Sequence, residues 1–358
     1  MKNFNIIIAI VTVLLYSSCE NEIPFNEKNN PPKIVLNAII DINSEENYIF
    51  LTKTGKQDTD SVPDATVNIY VNDELKEQLT EYLLPEINMD DELSGMINYP
   101  EYIEYLHHIY RKNKQYTTKM RFQPGDKVKI EVLADNNKYH VWAEDIVPYP
   151  VEIEQIDTTT YNKDYSTYMR LRTTFTDSGN KTNFYRLVLT QKTTVYGKRY
   201  QDSTPDSVSY QNAIFLDTRE DIVLNDGKVI SDEELFPQTE NVFAVFDDTR
   251  LNGTYTTKVS FYRPTDVYYM DIIPERASID FEVLLMSITE FQYYYLKALN
   301  ILSSDNYDEY LSMPVSFPSN VEGGTGIVGF SSDTRKSFSI PDIIPDKNYW
   351  HSDEGYPY

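Results

Sequence analysis

The chain has 358 residues, 56 of them acidic and 32 basic, which gives a net charge of −24 with histidine neutral. That balance sets the body against nucleic acid and anionic membrane surfaces, which are bound through basic patches. One cysteine and four histidines leave no disulfide pair and little material for a histidine-ligated metal or a Ser-His-Asp triad.

Met1 to Asn5 precede an uncharged apolar run from Ile6 to Leu15, the layout of a signal peptide. The run is too short for a bilayer, which takes an α-helix of about 20 residues to cross. Tyr16-Ser17-Ser18-Cys19 follows and resembles the lipobox at which a diacylglycerol is joined to the thiol before cleavage, with Tyr16 where Leu is usual. Residues 1–18 are therefore the expected signal peptide, Cys19 the expected lipid attachment, and 19–32 a tether ending in Pro31-Pro32. Buried acyl chain contributes about 0.8 kcal/mol per CH₂, and two or more chains make attachment durable. Glu20, Glu22 and Glu27 make the tether acidic, which resembles the surface-export signal of Bacteroidota lipoproteins. The expected location is the outer membrane, held by lipid and facing the exterior.

Strands are predicted next. The 30 Tyr and 16 Phe against 12 Gly favour them. Ile34–Ile40 is a continuous apolar run, Asn47–Thr54 ends at Gly55, and Ala65–Val71 alternates with Val67, Ile69 and Val71 on one face. Over Leu83–Gln115 the pattern changes, and Tyr102, Ile103, Leu106, Ile109 and Tyr110 have the spacing of a short amphipathic helix, an insertion at about 83–115. Further strands are expected at Thr117–Phe122, at Lys127–Leu133 after Pro124-Gly125-Asp126, and at His140–Val147 after Asp135-Asn136-Asn137, the last two as a hairpin. Pro148-Tyr149-Pro150 should end the sheet, because proline cannot donate to a ladder.

Beyond that junction Met169–Thr176 and Phe184–Thr193 flank Asp177-Ser178-Gly179-Asn180 and predict a second hairpin. Tyr196–Ser209 is polar and reads as a loop or ragged edge, with strands at Ala213–Leu216, Val242–Phe246, Tyr255–Tyr262 and Ser278–Ser287. Ser287 and Glu290 have the spacing of a capping box, and Ile288, Phe291, Tyr295, Leu299 and Leu302 continue at helical spacing to about Ser303. Tyr293, Tyr294 and Tyr295 are consecutive, so at least one must present its ring outward. The expected fold is mainly β: two β-sandwich domains of immunoglobulin/transthyretin-like kind, at 33–148 and 149–346, with the helix over about 287–303 in the second, then a tail over 347–358.

Catalytic chemistry is hard to assemble from these residues. His107 and His108 point about 100° apart on a helix and cannot chelate together. Asp217, Glu220 and Asp221, or Asp247 and Asp248, offer hard oxygen ligands for Ca²⁺, but no stretch has the twelve-residue calcium loop, and solvated acidic loops are the preferred reading. No cofactor beyond the covalent lipid and no metal or catalytic residue is expected. Exposed tyrosines remain, able to stack on sugar rings or anchor a protein partner.

Several stretches together resemble one family. Val147-Pro148-Tyr149-Pro150-Val151 followed by Ile156-Asp157, then Phe246-Asp247-Asp248 with Asn252-Gly253 and Tyr255, are similar to the Bacteroidota lipoproteins grouped as domain of unknown function 4249. The closing run Pro318-Ser319-Asn320-Val321-Glu322-Gly323-Gly324, with Gly326 and Gly329-Phe330, resembles that family's final signature. The resemblance covers essentially the whole chain after Cys19. It implies an outer-membrane lipoprotein encoded beside a TonB-dependent receptor, and no established chemistry. The glycines suit a bent or closely approached strand better than an anion loop, since no basic residue lies among them. The expected function is a non-enzymatic binding or accessory module for a TonB-dependent transporter in nutrient capture or uptake. A surface enzyme acting on glycans or peptides, or an adhesive envelope component, are the alternatives. Tyr293, Tyr294, Asn320, Glu322, Gly323 and Gly324 are the candidate partner or ligand surface.

Overall fold

A computed structural model describes residues 31–344 apart from 56–61, 63, 83–113, 178, 180, 200, 229–239, 252, 266, 268–271, 305–306 and 308–313. The expected signal peptide, Cys19, the expected tether to residue 30, the expected helical insertion as far as residue 113 and the tail lie outside the described residues. Among the described residues the protein is mainly β, with one α-helix.

The first core lies between two sets of strands. β1 (Ile34–Asp41), β2 (Asn47–Lys53) and β5 (Lys114–Thr118) pair antiparallel on one side, while β4 (Glu74–Leu79), β3 (Ala65–Val71), β6 (Lys127–Ala134) and β7 (Tyr139–Ile146) form a four-stranded sheet in that order. Alternation does the sorting: Leu36, Ile49, Val67, Ile69, Ile130 and Val141 all turn into one cluster. The β6–β7 hairpin forms as expected, with Asp135, Asn136 and Asn137 all at positive φ, a region that Asn and Asp tolerate. The strand expected at Thr117–Phe122 ends instead at Thr118, whose hydroxyl accepts from the Met120 amide (3.1 Å) and turns the chain out of the ladder.

The second core is built by β8 (Ile153–Lys163), β9 (Ser166–Thr176), β13 (Thr254–Thr256) and β14 (Val259–Tyr262) as one sheet, facing β10 (Phe184–Arg199), β15 (Ile272–Ile288) and the far half of β16 (Thr325–Ile343). β11 (Pro205–Ile214) and β12 (Val245–Asp247) both pair with β10. The helix α1 (Glu290–Leu302) covers the other face of that large sheet, where Leu284, Met286 and Ile288 meet Tyr293 and Leu296.

Several expectations need correction here. Met169–Thr176 and Phe184–Thr193 do not form a hairpin: β9 and β10 belong to different sheets. Turn chemistry fixes a reversal but not which edge the returning strand joins. Of the two readings of Tyr196–Ser209 the edge holds and the loop does not, since β10 runs on to Arg199 and pairs with β11 through Val195–Val208 and Lys198–Pro205. It reads as polar because β11 is an edge strand, mostly exposed. The Ala213–Leu216 strand is only the end of β11, Val242–Phe246 contracts to β12, and Tyr255–Tyr262 is split at Thr257. There the buried Thr257 hydroxyl and amide bond the Thr173 backbone directly (3.1 and 3.0 Å). β8 carries no apolar alternation because nearly all of it is exposed.

The capping box is also overturned. Ser287 lies within β15, flanked by Tyr185 on one side and Ser332 on the other, so its backbone is committed to the sheet. Thr289 is the N-cap, without a side-chain capping bond, because its hydroxyl accepts instead from the Phe330 amide (3.3 Å). The buried stripe of α1 shifts accordingly to Gln292, Tyr293, Leu296 and Asn300, and Phe291 and Leu302 are exposed.

β16 joins the two cores. It pairs parallel with β1 over Thr325–Ser331, then antiparallel with β15 as far as Ile343. Val328 and Phe330 fill the first core, and Ile340 and Ile343 the second. The sheet does end at Pro148-Tyr149-Pro150, between Ile146 of β7 and Ile153 of β8.

Candidate functional site

Where the prolines interrupt the ladder, a cleft of about 730 Å³ opens between the junction, the start of β10 and the turn from β15 into α1. Carbonyls that find no ladder partner there are taken by side chains of β16. Ser332 Oγ donates to the Pro148 oxygen (2.7 Å), Thr334 Oγ1 to Val151 (2.6 Å) and Lys336 Nζ to Glu154. Positions 332, 334 and 336 are two apart, so one face of one strand holds the segment from Pro148 to Glu154, of which Pro148 and Val151 line the cleft.

The cleft is lined by three carboxylates, Asp145, Glu152 and Glu290, against the single base Lys181. Burial pushes the Asp145 carboxyl above its ordinary value and Glu290 adds to the effect, opposed by hydrogen bonds from the Ile146 amide and the Thr289 hydroxyl. Ser287, 4% exposed, lines the same space, and its buried hydroxyl oxygen has no hydrogen-bond partner among the described residues. Such a pocket suits a polar or cationic ligand better than an anion.

The residues singled out from sequence divide into two groups. Tyr293 is 2% exposed and so is no partner surface: its ring lies 4.9 Å from Phe184 and its hydroxyl donates to Asp247 (3.1 Å). Burial, with the Asp247 charge beside it, raises the Tyr293 hydroxyl pKa. Tyr294 does face outward, 47% exposed, next to Phe184 on the rim of the cleft. Asn320 acts as a substitute strand partner, donating to the Val328 oxygen (2.7 Å) and accepting from its amide (3.0 Å). Glu322 exchanges both backbone bonds with Trp142, with its residue exposed. Gly323, at φ +73°, and Gly324 let the chain pass so close that a Cβ would sit 2.2 Å from the His140 oxygen and 2.5 Å from the Ile34 oxygen. Gly326 and Gly329 likewise lie against Leu36 and Gln292. The closing signature is thus a brace between β1, β7 and β16, as its lack of basic residues suggested.

The solvated acidic loop is corrected at one position. Asp221 is fully buried and accepts from the Val223, Leu224 and Lys258 amides and the Tyr255 hydroxyl, all within 3.0 Å. Asp217 is clamped by Arg219, which holds its carboxyl below the ordinary value despite burial. Asp247 caps a short 3-10 turn at Asp248–Arg250, and Asp248 accepts from Asn183. Among the described residues, no three of His, Cys, Asp and Glu are grouped to hold a metal ion. Nor is any helix there long and apolar enough to cross a membrane.

The family model described as domain of unknown function (DUF4249) matches residues 20–337, so its range covers the first core, most of the second and the β16 brace. The chain belongs to the DUF4249 family. No curated protein matches this DUF4249 chain. Among solved structures, a DUF4785 family protein from Legionella pneumophila is similar over 71% of this chain and 52% of its own length, at 7% identity and a TM-score of 0.22. Bovine butyrophilin is similar over 70% of this chain and 92% of its own, at 7% identity and a TM-score of 0.19. The chain thus spans about half the length of the Legionella structure.

Proposed function

We propose that this DUF4249 protein is a lipid-anchored, non-enzymatic binding module on the outer membrane surface, working beside a TonB-dependent transporter in nutrient capture or uptake. The observation that carries it is the place of Cys19: the chain's single cysteine follows a ten-residue apolar run and Ser17-Ser18, and the family match opens at the next residue. The lipid then holds the body, and no segment need cross the bilayer. On this reading the two cores are those of two β-sandwich domains of immunoglobulin/transthyretin-like kind, braced together by β16. The partner is the transporter that the family resemblance implies.

A surface enzyme is the second reading, and Asp145 and Glu290 lining one cleft is the observation that favours it. Glycoside cleavage takes two carboxyl groups about 5 to 9.5 Å apart, one of them with its pKa raised. Here Glu290 is exposed, and Asp145 is engaged by the Ile146 amide. Binding is the better account of the cleft.

Fractionation tests the anchor. Cys19→Ala should release the protein from membranes into the soluble fraction, and mass spectrometry of the wild-type N-terminus should find an acylated cysteine. A variant that stays in the membrane after a salt wash, or an unmodified Cys19, sinks the anchored reading. Affinity capture from solubilised outer membranes should co-purify a TonB-dependent transporter, and recovery without one removes that partner.

A further inference from the structure

The outer face of the β8–β9–β13–β14 sheet carries residues that neither core uses. Cross-strand register places Tyr161, Tyr168 and Tyr262 side by side on three neighbouring strands. Tyr161 and Tyr168 are stacked at 5.6 Å, Tyr262 meets Tyr168 edge-on at 6.1 Å, and Tyr262 is 52% exposed. Two residues further along β9 comes Arg170, its guanidinium 4.7 Å from the Tyr161 ring centre and 3.2 Å from Glu220. Arg170, Arg172, Lys258 and Glu220 frame a hollow of about 310 Å³. Arg172 and Lys258 are exposed, and among the described residues neither has a carboxylate within ion-pair distance. Asp157, opposite Arg172, accepts instead from Gln155 (2.9 Å).

Arg172 and Lys258 thus stand together beside this hollow, in a chain of net charge −24. The remaining rows are threonine pairs, Thr174 with Thr256 and Thr176 with Thr254, bonded hydroxyl to hydroxyl (2.9 and 2.7 Å). From Tyr168 to Thr176 the strip is about 27 Å long, at about 3.4 Å per residue. Every outward position of these paired strands is aromatic, hydroxyl, amide or charged. A protein partner would call for a core that sheds water at its centre. A glycan is matched by this mixture: aromatic rings for the apolar faces of sugars, hydroxyls for their hydroxyls, and cations for acidic groups.

We propose that this face binds an acidic polysaccharide, with sugar rings against the tyrosine row and sugar carboxylates held by Arg172 and Lys258. The planar fork of Arg172 fits a carboxylate through two hydrogen bonds, and Lys258 adds a point charge beside it. The assignment goes beyond the anchored-module reading and does not depend on the lipid.

The test uses the full chain in detergent, with polygalacturonate as ligand, dextran as neutral control and polyglutamate as acidic polypeptide control, read by affinity electrophoresis and calorimetry. Polygalacturonate should bind and dextran should not. The double variant Arg172→Ala/Lys258→Ala should weaken binding by about tenfold or more, as expected for lost charged hydrogen bonds, and should flatten its salt dependence. Tyr262→Ala should weaken polygalacturonate binding while leaving any polyglutamate binding unchanged. Melting curves matching the wild type establish that each exposed substitution leaves the fold intact. The proposal is overturned if polygalacturonate does not bind, if the double variant binds it as well as wild type, or if Tyr262→Ala leaves its affinity unchanged. Because the readout is free of the membrane, none of these results bears on whether Cys19 is acylated.

Discussion

Ser332 of β16 donates its hydroxyl to the carbonyl oxygen of Pro148, 2.7 Å away and 184 residues back along the chain. With Thr334 on Val151 it ties the proline junction, one side of the cleft, to the strand that enters both cores. Ser332→Ala and Thr334→Val should each cost about 0.5–1.5 kcal/mol of stability, the usual net worth of one hydrogen bond. Urea unfolding checks the size, and amide exchange should speed up in residues 148–154. Unchanged protection there would mean that the junction is held by other contacts.

Asp221 organises the loop that leads from β11 towards β12. Asp221→Ala strands two buried amides and the Tyr255 hydroxyl, and at about 1–3 kcal/mol per buried unsatisfied group the loss should be about 3 kcal/mol or more. Tyr255→Phe, which removes one donor and leaves the carboxylate its others, should cost far less. Equal losses in the two variants would contradict the role given to Asp221.

At Gly326 the backbone has φ +115°, and a Cβ would lie 2.2 Å from the Leu36 oxygen on the strand paired in parallel. Gly326→Ala should therefore destabilise by more than about 1 kcal/mol. The lost exchange protection should be concentrated in β1. A neutral effect on the melting temperature would show that β1 and β16 can move apart at no cost.

Glu131 is partly buried, which alone would raise its pKa, but hydrogen bonds from His140, Tyr70 and Lys129 outweigh that and hold it at about 2 rather than the ordinary 4.5. A depressed carboxylate stabilises the fold fully above its unfolded value and ceases to do so as pH falls through the folded one. Wild type should thus lose stability between pH 4.5 and about 2, and Glu131→Gln should lose less over the same interval. Parallel pH profiles in urea unfolding would remove Glu131 from the acid response.

Local chemistry was enough for much of the first core. Ala65–Val71 alternates with period two and is a strand over those same residues, and three consecutive Asp and Asn residues at 135–137 form the left-handed turn that their side chains tolerate. Pro148 and Pro150 end the sheet because proline has no amide to give, wherever the rest of the chain goes. That at least one of the three consecutive tyrosines must turn outward follows from a helix having one buried stripe, but that it is Tyr294 and not Tyr293 is decided by how the helix packs.

Partner choice is what the linear pattern could not contain. Ser287 and Glu290 are spaced as a cap, yet Ser287 is drawn into β15 because Tyr185 and Ser332, about a hundred residues before it and about 45 after it, hydrogen-bond along both sides of its strand. The turn at Asp177 predicts a reversal in any protein, but only the competing sheets decide that β10 joins β15 rather than β9. The tyrosine row and its cations were invisible for the same reason: Tyr161, Tyr168 and Tyr262 become neighbours only through the register of β8, β9 and β14. Composition, turns and alternation act within a few residues of backbone, and they set which faces are apolar. Which face meets which is settled by long-range burial and backbone pairing, and that is where this protein's cleft and its outer face arise.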